Sequence, residues 1–214
     1  MTIKTLWRAL PLTAAMLSFA PAAFAADTPS ATAAPTVAAV PAVTATDRVL
    51  GRADAPVTVI EYASFTCSHC ADWTNEVLPS FKTRYIDTGK VRLVYRNLPT
   101  SPVNLAMTAA GIARCSAPDR FFAVVDSLFD GQPAMIAGGR TWFSDAIAAG
   151  GRTEDQIKTC FADPATEAAI NADIEGATAA GVQGTPTFFV NGHKVADPTL
   201  AELGAAIDAA RTGT

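Results

Sequence analysis

The sequence predicts a mixed α/β fold, a central sheet flanked by helices and interrupted by an all-helical cap. Three observations carry that prediction. The apolar, β-branched run from Val57 leads through Glu61-Tyr62-Ala63 and a short polar break into Cys67-Ser68-His69-Cys70, which reads as a buried strand delivering two thiols to the first turn of a helix. No strand-like stretch occurs between Pro102 and about Gly181, where several helical segments follow one another. Beyond them, Thr187-Phe188-Phe189-Val190 and His193-Lys194-Val195 flank Asn191-Gly192, the strongest short hairpin signal.

The chain has 214 residues, half of them hydrophobic, enough for one domain of ordinary size or a domain with a large insertion. Residues 1–25 read as a cleaved signal peptide: Lys4 and Arg8 precede the apolar run Ala9 to Ala20, and Ala23-Phe24-Ala25 is a small-x-small cleavage site. The run is short and holds Pro11, which argues against a membrane anchor. Taking Lys4 and Arg8 from the 16 basic residues leaves 14 against 20 acidic ones, so the net charge moves from −4 to −6. No basic patch argues for nucleic acid. Four cysteines in an exported chain suit an oxidising compartment, with the periplasm as the expected address.

Residues 26–46 are almost entirely Ala, Pro, Thr and Val, with Pro29, Pro35 and Pro41 evenly spaced, which favours an extended, flexible linker over a domain. The folded domain is expected over 47–214, with a helical insertion over 100–181. After Asp54-Ala55-Pro56, the strand Val57 to Ala63 is apolar on both faces except at Glu61. A carboxylate in such a strand either has a structural partner or accepts a proton beneath the cysteines.

The helix opening at the cysteines carries Trp73, Val77, Phe81 and Tyr85 at four-residue spacing, a strip that can face the sheet. Pro79 should kink it and Gly89 end it. Val91 to Arg96 alternates apolar and charged residues, a second strand with one more exposed face, stopped by Asn97-Leu98-Pro99. Helices are expected over 102–115, 118–130, 141–149, 153–162 and 164–180, separated by Gly-rich breaks, and a last one from Pro198 to about Ala210.

Placement at a helix start gives the thiols a chemistry. Unpaired N–H groups and the positive dipole end favour a thiolate at Cys67, and His69 can add a positive partner. Cys67 is therefore the expected nucleophile. Cys70, one turn on, can attack a mixed disulfide formed there, so the pair can cycle between dithiol and disulfide. A zinc site would need a fourth ligand at usual spacing, which is missing; a copper(I) module holding the ion through Cys67 and Cys70 is the non-enzymatic alternative. Cys115 and Cys160 fall near the ends of predicted helices in the insertion. They read as buried thiols or a bridge, and export to an oxidising space favours a structural disulfide.

Glu61-Tyr62-Ala63-Ser64-Phe65 running into Cys67-Ser68-His69-Cys70, the helical insertion, and Gly184-Thr185-Pro186-Thr187-Phe188-Phe189-Val190-Asn191-Gly192 together resemble the DsbA-type thiol-disulfide oxidoreductases of the thioredoxin superfamily, over roughly Asp47 to Arg211. The resemblance implies a thioredoxin-like fold and a cis Thr185-Pro186 peptide facing the cysteines, leaving the Thr185 backbone to pair with an extended substrate. Ser68, Thr185 and Pro186 are then the substrate-binding residues, and Glu61, His69, Thr185 and Pro186 join Cys67 and Cys70 in the catalytic set. It further implies an oxidase of unfolded exported proteins, monomeric, without cofactor or metal, and reoxidised by a membrane redox partner. Two departures stand out. The best-known oxidant of the family has Pro-His between its cysteines where this chain has Ser-His, and Thr185 precedes the proline where that oxidant has Val. The second is shared with isomerases of the superfamily, so an isomerase or reductase is the enzymatic alternative, although such isomerases need an N-terminal association module for which the linker offers little room.

Overall fold

The structure is a computed structural model that describes residues 39–213. The signal peptide expected over residues 1–25 and the expected linker up to residue 38 lie outside the described residues. Strands β1 (Arg48–Leu50), β2 (Val57–Ala63), β3 (Val91–Asn97), β4 (Thr187–Val190) and β5 (His193–Val195) form one sheet in the order β1-β3-β2-β4-β5. Only β2 and β3 run parallel; the other neighbours are antiparallel. The thioredoxin-like fold expected from the resemblance is thus present, with β2 buried on both faces at the centre of the sheet.

One face of the sheet presents Val57, Val59, Val91, Leu93, Phe188 and Val190 to Trp73, Phe81, Leu203 and Ile207. The other presents Ile60, Tyr62, Val94 and Phe189 to Ala177 and Ala180. Burying each large aliphatic or aromatic side chain contributes about 1.5–3 kcal/mol, which is why the four-residue strip of the cysteine helix seats on the sheet rather than in solvent. That helix runs over residues 68–86 as α1 (Ser68–Asp72), a π turn (Trp73–Val77), α2 (Leu78–Phe81) and a second π turn (Lys82–Ile86). Pro79 has no N–H to return to the chain before it, and the Leu78 N–H reaches five residues back to the Trp73 carbonyl. The discontinuity expected at Pro79 is therefore taken up as a wide turn ahead of it. Gly89, at φ +71°, follows the helix in the left-handed region.

The insertion consists of α3 (Val103–Arg114), a 3₁₀ turn (Pro118–Arg120) leading into α4 (Phe121–Asp130), α5 (Gln132–Ile136), α6 (Trp142–Ala149), α7 (Glu154–Phe161) and α8 (Pro164–Ala179). The short α5 falls where a glycine-rich break was expected; five residues are too few to show a helical period. Thr153 and Gln156 close a capping box on α7 and Asp163 caps α8. The insertion has no core to itself: Ala63, Phe65, Cys70 and Tyr95 pack in one cluster with Ala109, Phe121, Leu128, Phe129 and Trp142. At the hairpin, Asn191 (φ +45°) and Gly192 (φ +86°) both take positive φ, as a two-residue turn between right-twisted strands requires. The C-terminal helix is α9 (Leu200–Thr212). Among the described residues no helix is long and apolar enough to cross a membrane.

Two expectations need correction. Of the two charged positions of β3, Arg92 is half-exposed but Arg96 does not face solvent: it is 4% exposed and pairs with both oxygens of Asp47 at 2.9 Å. Its guanidinium also donates to the carbonyls of Pro41 and Ala42 and to the Tyr62 hydroxyl. Burial works against the Asp47 charge, but the Arg96 hydrogen bond and charge hold its carboxyl below the usual range. The end of the expected linker is accordingly tied down, with Val40 and Val43 packed against the face that carries Tyr62. Alternation in β3 misleads because a bidentate partner arrives from a segment far away in sequence.

Candidate active site

Strand β2 ends at Ala63, and the break to α1 is held by hydroxyls. The Ser64 hydroxyl accepts from the main-chain N–H of Thr100 at 3.0 Å, and the Thr66 hydroxyl donates to the Thr100 carbonyl at 3.1 Å. Gln132 of α5, fully buried, donates its amide to the carbonyls of Phe65 (2.8 Å) and Cys67 (3.1 Å). Nothing local in the sequence marks Gln132 or Thr100; they meet the site only through the packing of the insertion. Phe65 stacks on Tyr95 and leans on Phe129 with centroids 5.4 and 5.2 Å apart, so the loop is pinned from both sides.

Cys67 is the N-cap of α1, in extended conformation, with its Sγ 3.2 Å from the Thr185 carbonyl. Its thiol is lowered to about 5. The largest cause is hydrogen bonding from the Cys70 thiol; burial opposes it, and the Thr185 side chain and the main-chain N–H groups of Cys70 and His69 add to it. Cys70 is fully buried, and burial drives its pKa far upward, helped by its hydrogen bond to Cys67 and the charges of Cys67 and Glu61. Both cysteines are free thiols here. The motif is therefore strongly asymmetric: one reachable sulfur that holds charge, one enclosed sulfur that holds a proton.

His69 acts differently from expectation. Its imidazole is 82% exposed, with Nδ1 3.8 Å from an Asp72 oxygen, and it is the His69 main-chain N–H that supports the Cys67 thiolate. The second position of a helix points its side chain outward while its N–H points toward the cap, which is the reason. Ser68 is likewise exposed beside Cys67. The peptide Thr185-Pro186 is cis, and among the described residues the buried Thr185 Oγ1 has no partner beyond the Cys67 sulfur whose charge it helps to hold. Thr185 and Pro186 form one wall of a groove of about 380 Å³ whose other wall includes His69, Asp72, Trp73 and Glu76.

Glu61 lies beneath this surface, 2% exposed, with Oε1 lacking a hydrogen-bond partner among the described residues. Burial first, and then the Cys67 charge, push its carboxyl up to about 8. The second pair, Cys115 and Cys160, is bonded, with Cα atoms 5.7 Å apart across 45 residues of chain, tying the end of α3 to α7. Among the described residues no group of three His, Cys, Asp or Glu side chains is placed to hold a metal ion.

The thioredoxin family model matches residues 43–209. A candidate protein-disulfide oxidoreductase of Rickettsia bellii is 33% identical over 168 residues, covering 77% of this chain; this chain spans 64% of that protein's own length. A Bacillus anthracis protein provisionally named disulfide bond formation protein D is 30% identical over 172 residues, covering 76% of this chain and 77% of the relative. Among solved structures, alpha-DsbA1 of Wolbachia pipientis superposes with a TM-score of 0.70 at 26% identity, covering 80% of this chain and 94% of that one. The oxidised BdbD of Bacillus subtilis, at 21% identity and a TM-score of 0.71 over 83% of this chain and 99% of its own, shares the fold. With the sheet, the cysteine helix and the family match in agreement, the chain belongs to the thioredoxin superfamily, in its DsbA-type branch of thiol-disulfide oxidoreductases.

Proposed function

We propose that this chain is a periplasmic dithiol oxidase that passes the Cys67–Cys70 disulfide to unfolded exported proteins. The observation that carries the reading is the asymmetry of the motif, with the Cys67 thiol lowered to about 5 and Cys70 enclosed and protonated. A substrate thiolate attacks Cys67 Sγ, the Cys67–Cys70 bond breaks, and its electron pair goes to Cys70, which takes a proton from Glu61. A second substrate thiolate then attacks the substrate sulfur of the mixed disulfide. Cys67 leaves as a stabilised thiolate and the substrate is oxidised by two electrons. An extended peptide in the groove pairs with the Thr185 backbone across the cis-proline, with Ser68 at its edge. A membrane redox partner reoxidises the dithiol.

The relatives' names support a disulfide oxidoreductase. Location in the periplasm rests on the signal segment, and the order of thiol roles rests on the Cys67 geometry. Insulin reduction and the refolding of a scrambled multi-disulfide protein, run side by side with dithiol oxidation of a reduced substrate, test the assignment. Fast oxidation with weak unscrambling is expected; efficient unscrambling with weak oxidation would make the chain an isomerase. Cys67→Ser should be inert and Cys70→Ala should accumulate mixed disulfides, and the reverse pattern would exchange the roles.

A further inference from the structure

Glu61 and Tyr95 are register partners across the parallel β2–β3 ladder, so their side chains leave the sheet on the same face. Both residues are 2% exposed, and both Glu61 Oε1 and the Tyr95 hydroxyl lack a hydrogen-bond partner among the described residues. A buried polar atom without a partner is costly, and two carried by register partners on one face of the sheet call for a common reason. Packing does not supply it: the Tyr95 ring stacks on Phe65 and meets Phe121 edge-on, and a phenylalanine would make both contacts. Electrostatics couples the two groups, since the Glu61 charge acts on the Tyr95 hydroxyl, as does that of Cys70.

We propose that Tyr95 is a positioning residue for the proton exchanged between Glu61 and Cys70, its hydroxyl donating to the Glu61 carboxylate, directly or through one water, whenever Cys70 holds the proton. The inference rests on the oxidoreductase reading above. When a substrate thiolate opens the disulfide, Cys70 leaves with the electron pair, Glu61 protonates it, and the new carboxylate sits in an apolar enclosure where the Tyr95 hydroxyl is the neighbouring donor. In reverse, Glu61 takes the proton back as Cys70 attacks Cys67. Tyr95 stays neutral throughout, because burial holds its pKa well above the ordinary tyrosine value. The other titratable or charged groups facing the pair are Cys67 and Cys70 at the start of α1, Arg48 of β1, the register partner of Tyr95 on its other side, which lies over Phe121 and donates to the Arg114 carbonyl, and, acting on Tyr95 from α8, Asp173, which is held by Arg114 and Asn97; β4 contributes Phe188 opposite Glu61.

Tyr95→Phe tests this, with glutathione as the probe. Once its mixed disulfide has formed at Cys67, the rate of release by Cys70 is followed against pH. Losing a donor to a buried carboxylate should move the midpoint of that profile upward by about one unit and slow release at pH 7 by about tenfold. The first attack by Cys67 should be unchanged, and in a Glu61→Gln background Tyr95→Phe should have no further effect. If Tyr95→Phe fails to fold, biosynthetic replacement of tyrosine by 3-fluorotyrosine, a stronger donor, should move the midpoint down instead. An unmoved midpoint in either protein, or an equal loss in the Glu61→Gln background, overturns the role of Tyr95. A Cys67 that forms no mixed disulfide at all overturns the oxidoreductase reading.

Discussion

Among the described residues, two buried carboxylates near the site, Asp173 and Glu61, are treated in opposite ways. Asp173, on α8, accepts from Arg114 Nη2 and from both the main-chain N–H and the side-chain amide of Asn97, each at 3.0 Å. Glu61, on the central strand, has an oxygen with no partner among the described residues. Burial raises both, but Arg114 and the Asn97 donors work against it at Asp173, whereas at Glu61 the only other influence is the Cys67 charge, in the same direction. A buried carboxylate with three donors is a fastener, costly to remove and of little use for moving a proton. One that is left unpaired costs stability and keeps its proton near neutral pH, which is what the proposed exchange with Cys70 requires.

Breaking the fastener should have the largest effect. Asp173→Leu leaves the Arg114 guanidinium buried and uncompensated, where it also holds the Thr46 and Ala169 carbonyls. A loss of about 3–5 kcal/mol in denaturant unfolding is expected, with the Cys67 titration unmoved. The Cys115–Cys160 bridge follows the residue that Asp173 holds, and Cys115→Ala/Cys160→Ala should cost on the order of 3–4 kcal/mol without changing the rate of thiol exchange. If exchange slowed in step with stability, the bridge would belong to the site and not to the scaffold.

Glu61→Gln sharpens the contrast, because it should act on rate and stability in opposite directions. Exchange at Cys70 should slow by about 10²-fold, the range typical of lost general acid–base help. Stability should rise. A carboxyl raised to about 8 in the folded state and ionising near 4.5 unfolded costs stability progressively as pH climbs between those values, so at pH 7 the amide should gain about 1–3 kcal/mol and flatten the pH dependence. A variant that lost stability would mean that Glu61 has a structural partner after all.

The smallest effect is the difference between redox forms. With the Cys67 thiol lowered to about 5 from an unfolded value near 9, the reduced fold gains stability that is complete above the unfolded pKa and disappears as pH falls through about 5. At pH 7 this is on the order of 2 kcal/mol after allowing for solvent screening of a half-buried sulfur, close to the ~2 kcal/mol expected from closing so short a loop. Melts of the two forms should therefore nearly coincide at pH 7, with the reduced form ahead above pH 8 and the oxidised form ahead by pH 5. An oxidised form clearly ahead at pH 7 would point to a reductase.

Local chemistry carried much of this fold. The strand Val57 to Ala63, the hairpin at Asn191-Gly192 and five of the inserted helices follow from periods, caps and turn residues that act within a few positions of one another. The thiol pair declares itself because Cys-x-x-Cys after an apolar strand places both sulfurs on one turn. The electrostatic design depended on tertiary structure, since its partners come from distant segments: Arg96 with Asp47, Arg114 with Asp173, Gln132 with the Phe65 and Cys67 carbonyls, and Glu61 beside Tyr95. Whether a buried charge is paired is decided by what the chain brings to it from far away. A strand pattern read one residue at a time therefore gives Arg96 to solvent and leaves Glu61 undecided, and only the assembled core shows the first clamped and the second without a partner among the described residues.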